Sequence, residues 1–143
     1  MRHWTALWLV SLAVGGGCGS STSGVGTADA SIRHDLLAGV AQIRATHDRN
    51  KLHAELTAVL ASLHRDRASS PSARRARKLA IQGLEATLRG VRSELDFSEN
   101  DSGEVAAATR DAMRADRFLR LGAHRLRAAG RALGIHIGTL NGF

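Results

Sequence analysis

The sequence predicts an all-α protein, an antiparallel up-down bundle of three to four helices with an extended C-terminal tail. Three observations predict it. Past residue 27 the chain holds one Pro and nine Gly in 116 residues and is rich in Ala, Leu and Arg, all strong helix formers. Apolar residues recur there at three- and four-residue spacing. Both Trp lie within the first eight positions and Tyr is absent, so the core of the folded part has to be aliphatic. With 143 residues, 43% hydrophobic and 23% charged, the chain has room for one globular domain and no second.

The first helical stretch carries two stripes. Ile32, Leu36, Val40 and Ile43 lie on one, and Leu52, Leu56, Val59, Leu60 and Leu63 on the other. Leu52 follows Ile43 by nine residues, which at about 100° per residue puts it on the opposite side of a continuous helix. Between them, Thr46-His47-Asp48-Arg49-Asn50 is polar and rich in capping residues. We therefore expect a break and two helices, roughly 29 to 46 and 49 to 67; one 39-residue helix is the alternative.

The next two helices are better marked. Ser70-Pro71 sets a capping hydroxyl before Pro at the first helical position, and Ile81, Leu84, Leu88, Val91 and Leu95 follow in a helix of about 71 to 96. Asp101 and Glu104 form a capping box. After it Val105, Ala108, Ala112, Ala115, Leu119, Gly122, Leu126, Ala129 and Leu133 keep the repeat until Gly134 ends it. The many Ala and Gly on that last stripe let a neighbouring helix approach closely. The short connection from Phe97 to Ser102 makes the pair an antiparallel hairpin. In the tail, Ile135, Ile137 and Leu140 alternate with polar or small residues, as expected of an extended segment packed back on the bundle.

Ahead of the domain the pattern changes. Met1-Arg2-His3 is a short basic start, Trp4 to Val14 an apolar run, and Gly15-Gly16-Gly17 a small-residue stretch before Cys18, the only Cys. Eleven apolar residues fall short of the roughly 20 that span a bilayer, and the three parts together read as an export signal. Residues 18–27 hold Gly, Ser and Thr with no charge and read as a flexible tether, so the domain is expected over residues 28–143. A lone Cys at the junction of leader and tether resembles bacterial lipoprotein precursors. In that family the position three before the Cys is usually Leu, Val or Ile; here it is Gly15, with Val14 one place earlier. The resemblance implies a signal peptide over residues 1–17 and lipidation of Cys18. Two or three acyl chains give stable anchoring at the outer face of the cytoplasmic membrane. The alternatives are secretion and an uncleaved leader.

The charge is +7, from 20 Lys and Arg against 13 Asp and Glu. In an up-down bundle Arg65, Arg67, Arg74, Arg75, Arg77, Lys78, Arg125, Arg127 and Arg131 gather at one pole, and Glu94, Asp96, Glu99, Asp101 and Glu104 at the other. The basic pole is the candidate contact with an anionic surface. Lipid head groups, which attract each cation by about 1 kcal/mol near the bilayer, or anionic wall polymers would supply it, and a protein partner is left open. Cations in the first turns of the third helix oppose its dipole, so compensation is expected there. The other reading is a solvated surface of i,i+4 pairs among Arg110, Asp111, Arg114, Asp116 and Arg117. Nucleic acid is not expected: export argues against it, and a mature chain with no Trp or Tyr lacks stacking platforms.

No chemistry of its own is expected. His34, His47, His53, His64, His124 and His136 never stand three or four apart, so no helical metal pair forms, and the lone Cys excludes a Cys-based zinc site. The stretch from Ser98 to Thr109 has an EF-hand glycine but lacks the acids at its ends. No nucleophile motif or phosphate loop is present, and no cofactor is expected. The reading is thus a lipid-anchored extracytoplasmic module that binds or supports rather than catalyses. The alternative is a small-ligand or metal carrier bundle.

Overall fold

The computed structural model describes residues 23–99 and 105–140, with side chains from residue 26 onward. Four helices are found among them: α1 (Ser23–Ala45), α2 (Arg49–Arg65), α3 (Pro71–Glu99) and α4 (Val105–Ala132). The leader, Cys18 and the Asp101/Glu104 capping box lie outside the described residues.

The break between α1 and α2 is present and its cause is local. Asp48 stands in extended conformation as N-cap of α2, its carboxylate accepting from the Lys51 amide at 3.0 Å. The Thr46 hydroxyl donates to Glu55 at 2.9 Å, tying the turn to the first part of α2. The two stripes then pack as neighbours: Ile32, Leu36, Val40 and Ile43 from α1 and Leu52, Leu56 and Leu63 from α2 are all buried in one core. Helix α1 starts earlier than expected. Residues 23–27, assigned to the tether, are helical. A Cβ on Gly26 would meet nothing within 4 Å, so this first turn is an extension of a helix nucleated by packing further along, each added residue gaining one hydrogen bond.

Helix α3 is central. On one side Leu84 and Val91 join the core with α1 and α2; a Cβ on Gly39 of α1 would lie 3.2 Å from Leu84 Cδ2 and 3.4 Å from Val59 Cγ1. On the other side Ala76, Gly83 and Gly90 are buried against α4, where Ala115, Gly122 and Ala129 are buried in turn. The approach is set by the missing side chains. A Cβ on Gly90 would stand 3.2 Å from the Ala115 carbonyl oxygen, and one on Gly122 would stand 2.9 Å from that of Gly83. Thr87 is fully buried at this seam, and its hydroxyl is satisfied by donating to the Gly83 carbonyl at 3.0 Å.

The start of α4 departs from the expected core stripe. Val105 is 78% exposed and Ala112 is exposed. Helix α2 begins at Arg49, which pairs with Glu94 at 2.7 Å, so α3 and α4 extend past the α1–α2 turn, and among the described residues none covers the stripe there.

Helix α4 closes as expected. Gly134 adopts φ +67, the Ile135 amide donates to Gly130 O at 2.8 Å and the Gly134 amide to Arg131 O at 3.1 Å, the double bond of a Schellman cap. The tail then folds back. Ile137 and Leu140 are buried, Ile137 against Gly130, and Arg33 and Arg44 of α1 donate to Leu133 O and Thr139 O. The fold is thus a helical bundle with a packed extended tail.

Candidate functional site

The candidate surface is built around the connection from α2 to α3. Ser70 caps α3, its hydroxyl accepting from the Ala73 amide at 3.1 Å. Asp29 of α1 reaches across to accept from the Ser69 hydroxyl at 2.7 Å, the Ser69 amide at 3.1 Å and the Ser70 amide at 3.4 Å. The hydroxyls of Ser70 and Ser69 set beside it, with the two backbone amides, lower the Asp29 carboxyl to about 2. Ser31 donates to Asp66 at 2.7 Å. The early part of α1, the end of α2 and the start of α3 therefore share one end of the molecule.

That end collects many of the expected cations, but they do not act alike. Arg77 is committed: its Nε donates to Leu63 O at 2.7 Å and its guanidinium NH₂ to His64 O at 2.8 Å, capping the last carbonyls of α2. Arg74 donates to Ser69 O at 3.0 Å and remains exposed. These carbonyls, together with the Asp29 carboxylate, offset the unfavourable dipole of α3. Arg65, Arg67, Arg75, Lys78 and Arg131 are exposed. Arg75 and Arg131 line a groove of about 440 Å³ between the start of α3 and the end of α4, with Pro71, Leu79 and Ala128 between them. Arg125 sits further along α4, bonded to Gln82 at 2.9 Å, and Arg127 is half-buried. Of the nine expected cations, Arg65, Arg67, Arg74, Arg75, Lys78 and Arg131 stand exposed, Arg77 is committed to two α2 carbonyls, Arg127 is half-buried and Arg125 is bonded to Gln82 on the α3–α4 side.

The acidic end is partly neutralised. Glu94 pairs with Arg49, and Asp96 with Arg92 at 3.0 Å. Burial pushes the Glu94 carboxyl up, against the opposing pull of Arg49. Asp101 and Glu104 lie outside the described residues. Of the residues expected to form i,i+4 surface pairs, Arg114 meets Asp111 at i,i+3 and 3.3 Å, Asp116 instead meets Arg120, outside that set, at 2.8 Å, and Arg110 donates to its own helix at Ala106 O.

Met113, Phe118 and Leu121 flank the α4 stripe and read from the sequence as core rather than as a ligand groove. In the structure Met113 and Leu121 are exposed and Phe118 is only half-buried, because no described helix packs on that side of α4. Phe118, half-buried on α4, is shared by two grooves: one with Met113, Arg114, Arg117 and Leu121, the other with His53, Leu88, Arg89, Arg92 and Ser93. The available signal was the i,i+4 row Met113, Arg117, Leu121, which lies outside the core stripe. Among the described residues no three His, Cys, Asp or Glu come together as a metal site, and no helix is long and apolar enough to cross a membrane. The chain matches no family model, no curated protein and no solved structure.

Proposed function

We propose that the chain is a lipid-anchored extracytoplasmic module of the bacterial cell envelope, non-catalytic, held by Cys18 and resting a basic end against anionic head groups. One observation carries this reading. Asp29 and Ser31, early in α1, bond to Ser69, Ser70 and Asp66, so the early part of α1, which Cys18 precedes in the sequence, packs beside Arg65, Arg67, Arg74 and Arg75. An anchor on that side presents those cations to the bilayer, where anionic head groups attract each by about 1 kcal/mol.

Expression of the full chain in a bacterium, followed by fractionation and intact mass of the purified protein, tests the reading. The expected result is recovery with membranes, a diacylglyceryl mass on Cys18, and loss of both in Cys18→Ser. An unmodified thiol in the cytosolic fraction overturns it.

A further inference from the structure

The outer side of α4 carries two adjacent rows at four-residue spacing: Met113, Arg117, Leu121 and Arg110, Arg114, Phe118. Met113 is 69% exposed and Leu121 43%, and with Arg114, Arg117 and Phe118 they line an open groove of about 510 Å³. Arg89 of α3 stands exposed beside Phe118. Arg117 and Arg89 have no ion pair among the described residues, while of the carboxylates beside the two grooves Asp111 meets Arg114 and Asp96 meets Arg92. Apolar side chains that protrude between arginines, on a helix whose opposite face is fixed in a core, form the pattern of a helix lying in a membrane interface. The apolar groups enter the acyl boundary there, while the long cationic side chains reach back to the phosphates.

Charge decides the occupant. A second copy seated on this face about a twofold axis would set Arg114 and Arg117 against themselves, so self-association is opposed. The complement is anionic and presents an apolar layer beneath its charge, which describes an anionic lipid surface. We propose that the outer side of the α3–α4 hairpin lies flat on such a surface, with Met113 and Leu121 inserted and Arg89, Arg114 and Arg117 on the phosphates. This rests on the membrane reading above and adds the orientation: the hairpin lies along the bilayer, continuous with the basic end through Arg75 and Arg131.

The test uses the full chain in a Cys18→Ser background, which removes the anchor and leaves no native thiol. A single Cys is placed at Leu121, or at exposed Ala58 of α2 as reference, and labelled with a nitrobenzoxadiazole dye. Vesicles are phosphatidylcholine alone or mixed equally with phosphatidylglycerol. The expected result is sedimentation with the mixed vesicles only, a blue shift and shielding from aqueous quencher at 121, and an unchanged signal at 58. Arg114→Gln with Arg117→Gln weakens binding roughly 10- to 30-fold. Sedimentation with position 121 as exposed as 58 overturns the orientation and leaves the membrane reading standing. No sedimentation with either vesicle removes the membrane contact itself. Shielding at 121 that rises with protein concentration before vesicles are added makes the face a self-contact, and shielding only by a protein or a nucleic acid assigns it to that partner; each overturns the proposal.

Discussion

Gly122 of α4 faces Gly83 of α3 so closely that a methyl group on Gly122 would stand 2.9 Å from the Gly83 carbonyl oxygen and 3.1 Å from the Thr87 amide nitrogen. Both obstacles are backbone, so neither can turn aside. Gly122→Ala therefore has to push the two helices apart, and we expect it to destabilise the fold by about 1–3 kcal/mol or more, as overpacking does. Removing the Thr87 hydroxyl as well restores little, because the backbone contacts stay. Thermal unfolding of the single and double variants by circular dichroism checks both statements.

Gly134 makes the opposite case. A Cβ there meets nothing within 4 Å, yet φ is +67. Gly134→Ala is expected to cost about 1 kcal/mol through backbone conformation alone, and Gly134→Asn less, since Asn tolerates the left-handed region. The same melting experiment separates them.

Asp29 gives the acid limb of the stability profile a recognisable feature. Its carboxyl lies at about 2 in the fold against 3.8 ordinarily, so the unfolded chain takes up the proton first as pH falls. The stabilisation from Asp29 is complete above about pH 4 and is lost as pH falls toward 2. Urea unfolding across that window should show a shallower decline for Asp29→Asn than for the parent.

Arg77 separates structure from surface charge. Because it caps two α2 carbonyls, Arg77→Gln is expected to lower stability by about 1.5–3 kcal/mol. Lys in its place does not restore it, lacking the planar fork that reaches both oxygens. Arg67→Gln, exposed at the same end, leaves stability within about 0.5 kcal/mol and weakens binding to anionic vesicles. Denaturation and sedimentation, run side by side, distinguish the two.

The tail is part of the core. Truncation after Gly134 removes buried Ile137 and Leu140, and at about 1.5–3 kcal/mol for each buried side chain it should cost several kcal/mol. Hydrogen exchange at the end of α4, next to Ile137 and Gly130, is the most direct readout.

Much of this was legible in the sequence, for identifiable reasons. Pro71, Asp48 and Gly134 mark helix ends because each solves a backbone problem locally, and the structure keeps all three. The early start of α1 was not legible, since Gly24 and Gly26 are poor helix formers and only attachment to a packed helix carries them. The burial of α3 on two sides was half legible. Its large stripe, with Leu84 and Val91, stands out, whereas Ala76, Gly83 and Gly90 read as absence of pattern until set against Ala115, Gly122 and Ala129. The exposure of Val105 depends on α2 stopping short, which no residue near Val105 reveals. At the candidate surface, Arg77 looked like its neighbours because helix-end carbonyls brought close by folding leave no mark in local composition.

The two sides of α3 differ in what they permit over evolutionary time. Leu84 and Val91 meet side chains that can repack, so their replacement by other aliphatics is tolerated as volumes trade between neighbours. The α4 side meets main chain and tolerates almost nothing. Divergent descendants of this fold would keep small residues at intervals of seven on two antiparallel helices while the rest of the sequence drifts, and that sparse double register is the signature by which distant kin can be sought.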